Sequence, residues 1–136
     1  MISPTLDSVR IALHLFAVAI WVGGQIVLAG VVPALRHSSP AALPVIAKSF
    51  ARVAWPSMLI IVFTGVWGLS EISVGDRSSN YHATFGVKML LVAAAIIATV
   101  IHSAGQTKLA KALGGAVGLL ASVLAMYLGI LMAHVS

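Results

Sequence analysis

Apolar residues along the 136-residue chain fall into four long stretches, separated by short segments that collect nearly all of the charge. Between Arg10 and Arg36 lie 25 uncharged residues, between Arg52 and Glu71 lie 18, between Lys88 and Lys108 lie 19, and 25 follow Lys111. About 20 apolar residues cross a hydrocarbon core of roughly 30 Å, so each stretch can form a membrane span. The pattern predicts helices over about 11–32, 55–70, 85–103 and 113–134, with a polar turn over Glu71–Thr84 and a basic connector over Gly105–Lys111.

Prolines set two expected boundaries. Pro33 should end the first helix, because the residue before a proline is pushed toward extended backbone. Pro56 lacks an N–H and predicts a kink where the second span enters the membrane. Between them, Leu43, Ile46, Ala47, Phe50 and Ala54 recur at helical spacing, which predicts an amphipathic helix along the interface. In the fourth stretch Gly114, Gly118, Ala121, Ala125, Gly129 and Ala133 put small residues on one face, where neighbouring helices can approach closely or copies of the chain can associate. The expected fold is an all-α integral membrane protein: one domain, residues 1–136, forming a four-transmembrane-helix bundle with a short interfacial amphipathic helix before the second span.

Composition excludes the soluble alternatives. The chain is 60% apolar and 8% charged, with mean hydropathy +1.09, whereas a soluble domain carries about a quarter charged residues. The net charge of +5 would suggest nucleic acid in a soluble protein, but here the positives sit at span ends and set topology, so lipid is the expected partner and nucleic acid is not. With no cysteine there is no disulfide and no thiolate metal site. The first apolar stretch exceeds the usual signal-peptide core, so it is expected to stay as a span. Arg36, Lys48, Arg52, Lys108 and Lys111 share one face without an acid, while Asp7, Glu71 and Asp76 lie on the other. That asymmetry predicts a plasma (inner) membrane protein with both termini extracytoplasmic.

Several residues do not belong in hydrocarbon. His14, Trp21 and Gln25 fall within about 20° of one direction on the first helix, and Lys88, Thr99 and His102 within about 40° on the third. Polar stripes of this kind should face protein, because lipid offers no hydrogen bonds. Counting residues from the expected span ends predicts one outer layer containing His14, Lys88 and His134. His102 and His37 would lie toward the cytoplasm and His82 in the outer loop. Histidines on different helices of a bundle can hold a haem iron, and a lysine can meet a propionate or ligate the iron. Copper competes, since imidazole and the thioethers of Met89 and Met132 suit it. A third reading is an accessory bundle within a larger membrane complex, its polar stripe satisfied internally.

Leu13-His14, Trp21-Val22-Gly23-Gly24 and Pro33 resemble the first helix of the copper-resistance protein D (CopD) family. FARVAWPSMLIIVFTGVWGL, with Thr64-Gly65, resembles its second helix, and FGVKMLLVAAAI, with Lys88, its third. The same skeleton is similar to the small four-helix protoporphyrinogen IX oxidase family that uses b-type haem; His14, Lys88 and Trp55-Pro56 match that pattern. The resemblance covers about Leu13–Ala98. It implies a haem-b-binding membrane protein with a redox role, with His14 and Lys88 at the cofactor, or alternatively a copper-handling protein. Two departures stand beside it: Pro33-Ala34-Leu35-Arg36 replaces a Pro-Arg-Leu-Phe-type signature, and the extra helices of the larger copper proteins are not matched.

Overall fold

The computed structural model describes residues 3–135. Four helices make up most of them: α1 (Leu6–Ser38), α2 (Leu43–Ser70), α3 (Ser79–Ala104) and α4 (Lys108–His134). There is no strand among the described residues. By length and composition, every one of the four is able to cross a membrane.

Three of the helices begin more than a turn before the apolar stretches that predicted them, and their caps explain why. Thr5 Oγ1 accepts from the Ser8 N–H at 3.1 Å while Ser8 Oγ accepts from the Thr5 N–H at 2.9 Å, a reciprocal capping box. Ser78 and Thr107 cap α3 and α4 through the Tyr81 and Ala110 amides, at 3.2 and 3.0 Å. Helical backbone starts at the capping residue in the polar flank, whereas hydropathy registers only the apolar length beyond it.

Neither proline ends a helix. α1 runs through Pro33 to Ser38, past the end expected at Val32. A proline removes one donor, here the one aimed at the Ala29 carbonyl, and leaves the remaining ladder in place. The last turn is then closed by the Ser39 N–H to the Leu35 carbonyl at 2.9 Å and by the Ser38 hydroxyl to the Ala34 carbonyl at 3.1 Å. α2 is likewise one helix through Trp55–Met58. The expected amphipathic segment therefore forms the opening turns of α2 and is not a separate interfacial element; Pro40 and Pro44 sit at its start, where proline's fixed φ suits a first turn. Beside Pro56 the Ser57 hydroxyl donates to the Val53 carbonyl at 2.8 Å, supplying side-chain hydrogen bonding next to the donor that proline lacks.

The chain divides into two compact units, one ending at Val74 and the other beginning at Gly75. In the first, α1 and α2 pack antiparallel along one seam. Going up α1, Arg10, His14, Trp21 and Gly24 meet residues descending α2: Gly68, Thr64 with Gly65, Trp55, and Phe50. Their spacing of four, seven and three residues is that of a heptad seam, with Ala17 buried within it. In the second unit α4 lays its small-residue face on α3. A Cβ added at Gly114 would stand 2.7 Å from the Ala98 carbonyl oxygen and from the His102 amide nitrogen, so the two backbones nearly touch there. At the turn the His102 ring donates through Nδ1 to the Lys111 carbonyl, tying the end of α3 to the start of α4.

The packing inverts the soluble pattern. Ala17, Ala54, Ala95, Ala98, Ala121 and Ala125 are buried, whereas Leu59, Phe63 and Leu90 are 71%, 67% and 72% exposed. Small residues inside and large apolar ones outside fit a protein whose solvent is hydrocarbon. Gly114→Ala must push backbone from backbone, and overpacking of this kind costs about 1–3 kcal/mol. Gly86→Ala, where an added Cβ meets nothing within 4 Å, should be neutral or slightly stabilising. Unfolding midpoints of the two variants in detergent, read by circular dichroism, check the contrast; equal midpoints would contradict the close approach.

Candidate functional site

The five predicted site residues divide between the two units: His14, Trp21 and Gln25 in the first, Lys88 and His134 in the second. In the first unit, α1 turns the His14 imidazole into the seam, where it is half-buried. Its Nδ1 lies 2.7 Å from the hydroxyl oxygen of Thr64, the largest fully buried side chain among the described residues at 1% exposure. That hydroxyl also lies 2.6 Å from the Ile60 carbonyl oxygen and 3.2 Å from that of Ile61. Gly65 lies beside the ring: a Cβ there would meet His14 Cε1 at 3.8 Å, an ordinary contact.

Trp21 is 3% exposed and packs edge to face on Trp55, with ring centroids 5.9 Å apart. Gln25 sits one position beyond the seam residue Gly24, and its amide donates to the Trp21 carbonyl of its own helix at 3.1 Å. The stripe of three residues thus resolves into two seam residues and one flanking amide held against its own backbone. At the opening of α1, Arg10 pairs with Asp7 at 2.6 Å and lays its guanidinium over Gly68.

In the second unit, Lys88 reaches across to α4. Its Nζ lies 3.1 Å from where a Cβ on Gly129 would stand, so the glycine provides the space the ammonium occupies. Among the described residues, no ion pair or hydrogen bond engages that ammonium. His134 is the exposed final residue of α4, and Met132 near it is buried. Met89 is 40% exposed. No group of three His, Cys, Asp or Glu side chains that could hold a metal occurs among the described residues.

Thr64 is the functional candidate to which residue patterns gave no role. Its signal was present: Phe50, Ala54, Ser57, Ile61, Thr64 and Gly68 repeat at heptad spacing, which puts the threonine on the face of α2 that meets His14. Comparison with family models, with curated proteins and with solved structures finds no match.

The energetic weight of the seam can be tested at its aromatic pair. Trp21→Ala removes a buried indole and its edge-to-face partner, for an expected loss of about 3 kcal/mol or more. Gln25→Leu, which gives up one bond to an already helical carbonyl, should cost under about 1 kcal/mol. Denaturation with sodium dodecyl sulfate from mixed micelles measures both, and a larger loss at Gln25 would show the amide to be the structural member.

Proposed function

We propose that the chain is an integral membrane protein that binds haem b and has a redox role, with porphyrinogen oxidation as the candidate activity. The observation that carries the reading is the setting of His14: an imidazole inside an apolar span, held by one ring nitrogen against a fully buried hydroxyl. Ligating histidines are oriented in this way, with the second ring nitrogen hydrogen-bonded to a protein group. Taken one by one, the side chains have chemistry that suits the group. His14 would be an axial ligand, and Lys88, an ammonium with no counter-ion among the described residues, would be a carboxylate partner for a propionate or a second ligand. The resemblance of the first three apolar stretches to haem-dependent oxidases selects the same two residues. When bound, haem b supplies a one-electron couple whose potential depends on the axial ligand and its hydrogen bonds.

The chain's own contribution is position and dielectric. α1 and α2 hold the imidazole in a seam flanked by apolar side chains, where removing the Thr64 hydroxyl would forfeit one hydrogen bond, worth about 1 kcal/mol. Gly129 accommodates the ammonium of Lys88, and an anion brought to it in a low-dielectric setting would be bound more strongly than in water. Trp21, packed on Trp55, fills the seam about two turns beyond His14. The charge asymmetry of the connections supports a plasma-membrane orientation with both termini outside.

Purified protein should show a reducible Soret band. His14→Ala should lower haem content per protein at least about tenfold, and Lys88→Met should lower it by more than His37→Ala or His82→Ala, which should retain it. Retention in His14→Ala with loss in a loop-histidine variant would overturn the assignment. A colourless protein that contains copper by elemental analysis would favour the copper reading, and one with neither would favour an accessory subunit. Separately, a reporter fused after Ser136 should be extracytoplasmic; a cytoplasmic reporter would reverse the orientation.

A further inference from the structure

α4 carries two faces at heptad spacing. Gly114, Gly118, Ala121, Ala125 and Met132 are buried, and the first two lie against α3. One residue earlier in each repeat, about 100° round the helix, come Leu113, Val117, Leu120, Leu124, Tyr127 and Leu131, and all six are exposed, by 41–64%. Exposure alone carries nothing, because large apolar side chains face lipid without loss. The spacing carries more. A lipid-facing surface needs only to be apolar, whereas a ridge that alternates steps of four and three from Leu113 to Leu131 is the pattern by which one helix follows another. The ridge also borders a groove of about 470 Å3 within the second unit, with buried Ala98 and Gly114 beneath and exposed Ile97, Ile101, Leu113 and Val117 at its sides. Projections and a depression therefore lie side by side on this face, as interlocking side chains require.

Tyr127 adds a polar requirement. It lies about 10 Å along the helix from the His134 end, and among the described residues no hydrogen bond engages its hydroxyl. Lipid tails offer that hydroxyl no acceptor. We propose that the exposed heptad ridge of α4 is the surface on which the chain pairs with a second copy of itself, about a two-fold axis along the membrane normal. Copies inserted in the same orientation bring each ridge residue to the depth of its own counterpart. Leucine then meets leucine, and no charged residue between Leu113 and Leu131 opposes the pairing. Tyr127 meets the partner's Tyr127, and because a phenol can both donate and accept, one hydroxyl donates to the other. An unrelated helix would need an acceptor placed at that depth, whereas a second copy supplies one by symmetry. The small-residue face is not available for this role at Gly114 and Gly118, where α3 already occupies it. The pairing goes beyond the haem reading and does not depend on it.

The chain contains no cysteine, so single substitutions report one position each. Leu113→Cys, Leu120→Cys and Tyr127→Cys are oxidised in lipid vesicles beside two controls: Met126→Cys, exposed but off the ridge, and Leu59→Cys, exposed on α2. A disulfide needs Cα atoms within about 7 Å, so the ridge variants should form covalent dimers and the controls should not. Cross-linking as strong at the controls as on the ridge, or at no ridge position, overturns the proposal and leaves the face to lipid or to another protein. A second measurement keeps the ridge intact. Parent copies carrying donor or acceptor fluorescent proteins fused after Ser136 are diluted into lipid, and energy transfer should exceed that of randomly placed copies and fall when unlabelled protein is added in excess. Transfer no greater than random overturns the proposal whatever the cysteine variants do. Tyr127→Phe, which removes only the hydroxyl, should move half-dissociation to an about threefold higher protein-to-lipid ratio, the effect of one interhelical hydrogen bond of average strength. An unchanged midpoint would overturn the pairing of the phenols.

Discussion

The protein depends on how closely its paired helices can approach. In hydrocarbon, apolar side chains gain nothing by meeting each other instead of lipid, so association rests on packing and on the few polar contacts. Both units meet that constraint with glycines, most of them on the even-numbered helix facing a bulky or polar side chain on the odd-numbered one, and with Gly24 of α1 against Phe50 of α2 as the reverse case. Arg10 lies over Gly68, His14 over Gly65, Lys88 over Gly129 and the His102 ring against Gly115. At Gly114 the gap is filled by backbone itself. The glycines create the space in which titratable side chains can be held inside an apolar seam.

That arrangement gives each polar group a defined setting. His14 has a partner buried more deeply than itself, so its ring is directed by the protein and not by lipid. Lys88 has space over Gly129 and no opposing charge among the described residues. His102, by contrast, is spent on a turn: its ring bonds the Lys111 carbonyl and holds two helix ends together. Three basic side chains at similar seam positions thus differ in role according to whether the facing group is a hydroxyl, an open glycine face or a carbonyl.

The number of helices and their apolar cores were legible in the distribution of eleven charges, because length of uncharged chain is all that a span requires. Helix ends were less legible. Thr5, Ser78 and Thr107 lie in polar flanks where hydropathy says nothing, and only their capping bonds extend the helices outward. Pro33 misled for a physical reason: a rule learned in water counts a missing hydrogen bond as an opportunity to stop, whereas hydrocarbon penalises every further backbone group left unpaired. The stripe through His14, Trp21 and Gln25 assumed a period of 3.6, while the packed seam follows 3.5, so it kept the histidine and tryptophan and left the glutamine to one side. Thr64 was present in the pattern, but its pairing with His14 fifty positions away needed the hairpin to be seen.

Each seam is closed between helices that are adjacent in the chain, and this has a consequence for biogenesis. Among the described residues, the contacts given above for the α1–α2 seam reach no further along the chain than Gly68, and those given for the α3–α4 seam begin at Lys88. The loop that must close before either seam can form is short, which keeps the entropy of pairing low. A ribosome that has synthesised the first seventy residues has already delivered every partner that His14 uses within its own hairpin, so the imidazole can leave the translocation channel with Thr64 alongside and need not enter lipid as an isolated polar ring.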